Sequence, residues 1–289
     1  MNNKEILEKY EKRLGSKGNT KNLYLRYAGD FLNYANGNFD RETIDKYLDH
    51  LRTKKTMKKY SDGSKNFVFR VIRTLFSRND IEWPFRRGES PQIREDNVTA
   101  PALNPKTVIR MIEAVKGNGQ PDERAFLALS STYGLRRVEM VELMQKDIRF
   151  KDRTIHIATA KHGRERTHII PEQIIPHLKC YDFDTTVSEF ALFTLWYRLE
   201  HSIGLQHPER ANWHSIRRAL NHMLARELTD VTVKSFLRHK QRTSSDMTYR
   251  YSAVKFVGEE EETVELAASL FQVDNDVFKI HPFIKYWGD

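Results

Sequence analysis

Cysteine is nearly absent from this 289-residue chain, with Cys180 standing alone. One thiol cannot close an internal disulfide or build a cysteine-rich zinc site. Long apolar runs are missing as well. No stretch approaches the roughly 20 residues that a membrane-spanning helix needs. The opening "MNNKEILEKYEKRLG" is charged and helical in pattern, unlike a signal peptide. An intracellular, cytoplasmic protein is the resulting expectation. Internal repeats and low-complexity tracts are also lacking.

The residues that are present suit a globular chain. Hydrophobic residues make up 39% and aromatic residues 11% of it, at a length that allows one large domain or two smaller ones. The net charge of +9 is unevenly spread. Residues 1–85 carry 18 Lys/Arg against 11 Asp/Glu, whereas residues 252–289 carry 3 against 8. A basic body with an acidic tail points to a polyanionic partner, most simply nucleic acid.

The hydrophobic pattern divides the chain. In "NTKNLYLRYAGDFLNYANG", Tyr24, Tyr27, Ala28, Phe31 and Leu32 fall at helical spacing, and Gly37 is a stop signal. Asp40 is a fitting N-cap for "RETIDKYLDHL", and Phe69, Ile72 and Phe76 share one stripe of a later helix. Residues 1–85 therefore read as a small helical bundle. Residues 86–104 mix prolines, glycine and charge without period, as a linker does. Residues 105–258 form a second domain, mainly helical. Its exception is "RTIHIATA" and "RTHIIP", which alternate like two strands of a hairpin with "KHGRE" at the tip. Residues 259–289 begin with an acid-headed helix, "EEEETVELAASLF".

Four features of the second domain carry chemistry. Arg136 follows a glycine turn in "YGLRRVE", with Glu139 three residues on. Lys161 sits at the hairpin tip near Arg164 and Arg166. His214 and Arg217 open a helix in "HSIRRALNHMLARE". His239 precedes Tyr249 and Tyr251 in "LRHKQRTSSDMTYRYS". This set has neither the cysteines nor the carboxylate cluster of a metal site. Arginine forks fit the non-bridging oxygens of a phosphate, a tyrosine oxygen can attack phosphorus, and a lysine can protonate a leaving oxygen. Taken singly, each is an ordinary side chain; the order and spacing of the set are what weigh.

In that order the chain resembles the tyrosine recombinases, the phage-type integrases and Xer-like enzymes, over nearly its whole length. "YGLRRVEMVEL" is similar to the first arginine box, "AKHGRERTHIIP" to the lysine hairpin, "HSIRR" to the H-x-L-R-H box, "FLRHKQ" to the L-G-H box and "DMTYRYS" to the segment with the nucleophile. The chain departs from the pattern at Arg218, where a second histidine is usual, and at Arg238, where glycine is usual. His239 also lies further from the tyrosines than is common. The resemblance implies a mainly α fold with a small β-hairpin or sheet: an N-terminal helical core-binding domain followed by a catalytic domain. It implies a site-specific recombinase that cuts and rejoins duplex DNA through a 3′-phosphotyrosine, without metal, ATP or other cofactor. Tyr251 takes the nucleophile's place, with Tyr249 as the alternative. Arg136, Lys161, His214, Arg217 and His239 take the other catalytic places, and Arg164, Arg166, Arg218 and Arg238 are candidate DNA contacts. It further implies double-stranded DNA as partner, a tetramer on paired sites in which the segment from 259 docks on a neighbour, no membrane, and a nucleoid-associated location when bound. A type IB topoisomerase and a decayed DNA-binding accessory protein are the alternatives.

Overall fold

The computed structural model describes residues 2–16, 18–52, 59–86, 89, 101–158, 165–206, 211–239 and 271–288. They form two compact units, one within residues 1–99 and the other within 100–289. Both are helical, and the second carries one small antiparallel sheet.

In the first unit, helices α1 (Asn3–Arg13), α2 (Gly18–Ala35), α3 (Arg41–His50) and α4 (Asp62–Asn79) surround an aromatic core. The helix starts are set by short polar side chains that satisfy otherwise orphaned N–H groups. Asn2 and Glu5 form a capping box, and Asp40 accepts from the Thr43 N–H at 2.7 Å. Phe31 is fully buried and stacks edge-on against Tyr47. Trp83 and Phe85 return over Phe69 and close the bundle.

The second unit is built around α6 (Pro121–Tyr133), in which every residue from Ala125 to Tyr133 is buried. Around it lie α5 (Pro105–Lys116), α7 (Arg137–Glu142), α8 (Ile175–Lys179), α9 (Glu189–Ser202), α10 (Trp213–Leu224) and α11 (Asp230–Phe236). The sheet runs β1 (Ile148–Arg149), β2 (Thr154–Ile157), β3 (Arg166–Ile169). The alternation in the sequence does form a hairpin, and the short β1 adds an edge that the pattern was too brief to show. In the β2–β3 register Ile155 faces His168 and Ile157 faces Arg166. Because Ile155 and Ile157 are buried, the two-residue period of the pleat puts His168 and Arg166 on the inward face too.

The tail expectation falls mostly outside the described residues. Residues 259–270 lie outside the described part, but 271–288 pack into the second unit's own core rather than standing apart for a neighbour. Residues 271–280 are helical, and Val277, Phe283 and Trp287 are buried. Trp287 donates its indole N–H to Ser131, and His281 donates to the Thr132 carbonyl, so the tail satisfies polar groups of the central helix. After the helical residues 271–280 comes "HPFIKYW", which has no helical period and whose Phe283, Ile284 and Trp287 are core. Removal of residues 271–289 strips three large side chains from this core at about 1.5–3 kcal/mol each. That is comparable with the whole stability of a domain, about 5–15 kcal/mol. The truncated protein is expected to lose its near-UV circular dichroism and cooperative urea unfolding in the second unit. A native-like transition without the tail would show that it is dispensable for this core.

Candidate active site

The site begins at a turn that only glycine fits well. Gly134 ends α6 at φ +58°, a left-handed conformation, and a side chain there would press on Leu237, Arg217 and Leu220 at 3.1–3.4 Å. The tight turn delivers Arg136 to the N-cap of α7. There Glu139 accepts from the Arg136 backbone N–H at 2.9 Å and from its guanidinium at 2.6 Å. Glu139 is 2% exposed, a burial that a carboxylate tolerates only when paired. Its second partner is Arg238, which donates to Oε2 at 3.1 Å and has no exposed side-chain surface. Burial alone would raise the Glu139 pKa. Arg238, the Arg136 N–H, Arg217 and the Arg136 charge more than offset that, and the carboxyl is held below its usual range.

Arg217 lies one turn into α10, 2% exposed. Its guanidinium donates to the carbonyls of Gly134 and Leu237, which tie the α6 and α11 termini together. Burial, Arg238 and Arg136 all push its pKa down, and Glu139 works in the other direction. Arginine remains cationic regardless. His239 follows directly after α11. Burial, followed by the charges of Arg217, Arg136, Arg238 and Lys234, lowers its pKa to about 4. It is therefore neutral at pH 7, with one donor and one acceptor nitrogen. His214 is exposed at the start of α10. With Arg136, Asn212, Trp213 and Phe193 it lines a cleft of about 320 Å³.

The structure thus brings Arg136, Arg217 and His239 into mutual electrostatic reach and sets His214 beside Arg136 on the cleft. Lys161, Arg164, Tyr249 and Tyr251 lie outside the described residues. Arg218 is half-buried on α10. Two expectations need correction. Arg238 is not a surface cation for DNA: its charge is spent on Glu139, and its fork also reaches His168 and the Tyr133 carbonyl. Arg166 is turned inward by the strand register and donates to Ser235 at 2.6 Å and Asp274 at 3.3 Å. Sequence reasoning missed the partners of this network. Asp274 accepts from His168 Nδ1 at 3.0 Å and from the Ile169 N–H at 2.8 Å, across more than a hundred residues of chain. Strand alternation could have placed His168 inside, opposite Ile155; nothing local marks Asp274.

Known proteins add an independent line. The chain is 25% identical over 268 residues to the tyrosine recombinase XerA of Pyrococcus furiosus, a match covering 86% of this chain and 90% of that protein. The structure of the Tn1549 transposon integrase in complex with transposon right end DNA matches 97% of this chain and 99% of its own, at a TM-score of 0.65 and 15% identity. A lambda integrase tetramer bound to a Holliday junction matches 83% of this chain and 78% of its own, at a TM-score of 0.63 and 15% identity. No family model matches. The chain is similar to tyrosine recombinases along nearly its whole length. At these identities the solved structures speak for the fold, and the length-wide sequence match agrees with the order of the motifs. Among the described residues, no group of three or more His, Cys, Asp or Glu side chains could hold a metal ion, and no helix is long and apolar enough to cross a membrane.

Buried neutral histidines give the protein an acid limit. His168 is lowered to about 4, chiefly by burial, against the pull of Asp274. His281 is lowered to about 3 by burial, against its bond to Thr132. Unfolded, both titrate near 6.5. Between that value and the folded one the unfolded chain binds more protons, so stability rises with pH. The stabilisation is complete above about pH 6.5 and is lost as pH falls toward 4 and then 3. His168 contributes on the order of 3 kcal/mol and His281 on the order of 5 kcal/mol. Urea midpoints are expected to hold between pH 7 and 8 and to fall steeply from pH 6.5 to 4. His281→Gln keeps a donor and an acceptor without the titration, so its slope is expected to be shallower. An unchanged slope in that variant would remove His281 from the account.

Proposed function

We propose that the recombinase cuts and rejoins duplex DNA at specific sites by transesterification, with Tyr251 as nucleophile. The observation that carries this reading is a charge imbalance. Arg136, Arg217 and Arg238 lie within reach of one another, and Glu139 is the carboxylate coupled to Arg217 among the described residues. Buried charge without a counter-ion costs several kcal/mol. A cluster left cationic beside an open cleft is matched by an anion from outside. A phosphodiester has the right charge, and arginine forks have the right geometry for its two non-bridging oxygens.

The chemistry follows from that placement. The Tyr251 oxygen attacks phosphorus and forms a P–O bond while the bond to the 5′ oxygen breaks. The product is a 3′-phosphotyrosine and a 5′-hydroxyl. Arg136 and Arg217 stabilise the charge that builds on the pentavalent phosphorus. Lys161 gives a proton to the leaving oxygen. His239 enters neutral, so it accepts a hydrogen bond from the phenol or donates one to phosphate without adding repulsion, and His214 works from the cleft rim. The energy of the broken bond stays in the phosphotyrosine link, and the reverse attack by a partner strand's 5′-hydroxyl completes exchange. No metal, ATP or other cofactor takes part in these steps. Arg218 lies on the same helix as Arg217 and serves the DNA backbone, as does Arg164.

The reading extends to partners. Duplex DNA is the substrate, the basic N-terminal unit is its second grip, and the working assembly is a tetramer on two sites, as in the lambda integrase complex on a Holliday junction. The working location is the cytoplasm, at the nucleoid. Tyr251→Phe is expected to abolish covalent adducts on a nicked suicide duplex while DNA affinity holds. Adducts that persist there and vanish with Tyr249→Phe would move the nucleophile by two residues. Arg136→Ala is expected to slow cleavage by about 10²–10³-fold, the scale of one lost transition-state donor, with a much smaller loss of binding. Equal losses in both would make Arg136 a backbone contact only. Relaxation of supercoiled DNA without site pairing would favour the topoisomerase reading.

A further inference from the structure

Arg238 has a backbone conformation that opposes its own side chain. Its φ is +56°, in the left-handed region that glycine adopts freely and a residue with a Cβ adopts only under strain. The other non-glycine residues there, among those described, are Asn36, Asp80 and Arg153. Asn and Asp tolerate the region, and Arg153 sits at a turn with its side chain reaching Glu172 at the surface. Arg238 alone among the four is buried, at 1% exposure. A strained backbone carrying a buried cation requires something that holds the side chain firmly.

Four partners do so. The guanidinium donates to Glu139 Oε2 at 3.1 Å, to the Tyr133 carbonyl at 3.2 Å, to the Phe236 carbonyl at 3.3 Å and to His168 Nε2 at 3.1 Å. Arginine can only donate, so Nε2 of His168 is the acceptor and its Nδ1–H points to Asp274 at 3.0 Å. Arg238 is thus fixed from behind by β3 and the tail, and its forward face meets the same Glu139 oxygen that accepts from the Arg136 N–H.

The other oxygen, Oε1, accepts from the Arg136 guanidinium at 2.6 Å, so one carboxylate serves both arginines. Without Arg238, Glu139 and Arg136 would form a private pair, one negative charge against one positive, and Arg136 would have little charge left for a ligand. With Arg238 in place, the carboxylate divides its charge between two cations. We propose that Arg238 is a positioning residue for Arg136: it holds Glu139 from the protein side and so leaves part of the Arg136 charge available to a phosphoryl oxygen. This rests on the recombinase reading above. It goes beyond that reading because Arg238 is buried and acts through Glu139.

The test is a double-mutant cycle on single-turnover cleavage of a nicked suicide duplex. DNA affinity and circular dichroism are measured alongside. Arg238→Gly relieves the backbone and removes the cation. It is expected to slow cleavage by at least about 30-fold, within the range for lost supporting contacts, while DNA affinity stays within about 3-fold. In an Arg136→Ala background the same substitution should cost less than about 3-fold, because its route of action is gone. A purely structural role predicts equal losses in both backgrounds, and that result overturns the proposal. Arg238→Lys, which keeps the charge, is expected to recover most of the rate. If Arg238→Gly does not fold, Arg238→Met removes the charge but keeps the buried stem and carries the same comparison. Wild type that forms no adduct on DNA overturns the recombinase reading and this one with it. Active wild type with an equally active Arg238→Gly overturns this one alone.

Discussion

The carboxylate of Glu139 holds the catalytic half together at the point where its chemistry is to occur. It is buried, it caps α7 through the Arg136 N–H, and it meets the guanidinium groups of Arg136 and Arg238. Removing one partner from such a cluster leaves an uncompensated buried charge at about 3–5 kcal/mol. Among the described residues one carboxylate faces three arginines, and the proposed phosphate would meet the surplus. The turns and caps keep that cluster in place.

Those turns are specific. Gly134 lets the chain double back so that its own carbonyl accepts from Arg217, and Leu237 turns a second carbonyl to the same guanidinium. Arg217 is thereby aimed by backbone rather than by a second acid, which would cancel its charge. Behind this front, the inward face of β3 places His168 between Arg238 and Asp274. The tail that supplies Asp274 also packs Trp287 and His281 against the central helix. A substitution in the last twenty residues therefore acts on the same cluster as one at the arginine turn.

Much of this was legible in the sequence. The two-part architecture, the helical N-terminal bundle and the hairpin all came from periodicity, and the ordered arginine, lysine, histidine and tyrosine motifs carried the family. Local chemistry sufficed for Asp40 as a cap and Gly134 as a turn. The failures share a cause. Arg166 and Arg238 read as surface cations because a sequence displays charge but not burial, and arginine is seldom buried unpaired. Their pairing depends on Asp274 and Glu139, which lie about a hundred residues from them, beyond any local window. The docking reading of "ETVELAASLF" lies almost wholly outside the described residues, whereas "HPFIKYW" fills the core without any period that a sequence could display.

The central claim is that the cationic cluster answers the negative charge on a scissile phosphate. Its most direct test replaces that phosphate, in a duplex the protein cleaves, with an uncharged methylphosphonate and compares wild type with Arg136→Ala. If the arginine serves the missing charge, the roughly 10²–10³-fold penalty of Arg136→Ala on phosphate should shrink to less than about 10-fold on methylphosphonate. A penalty of the same size on both substrates would contradict the account, because Arg136 would then be acting on something other than the phosphate's charge.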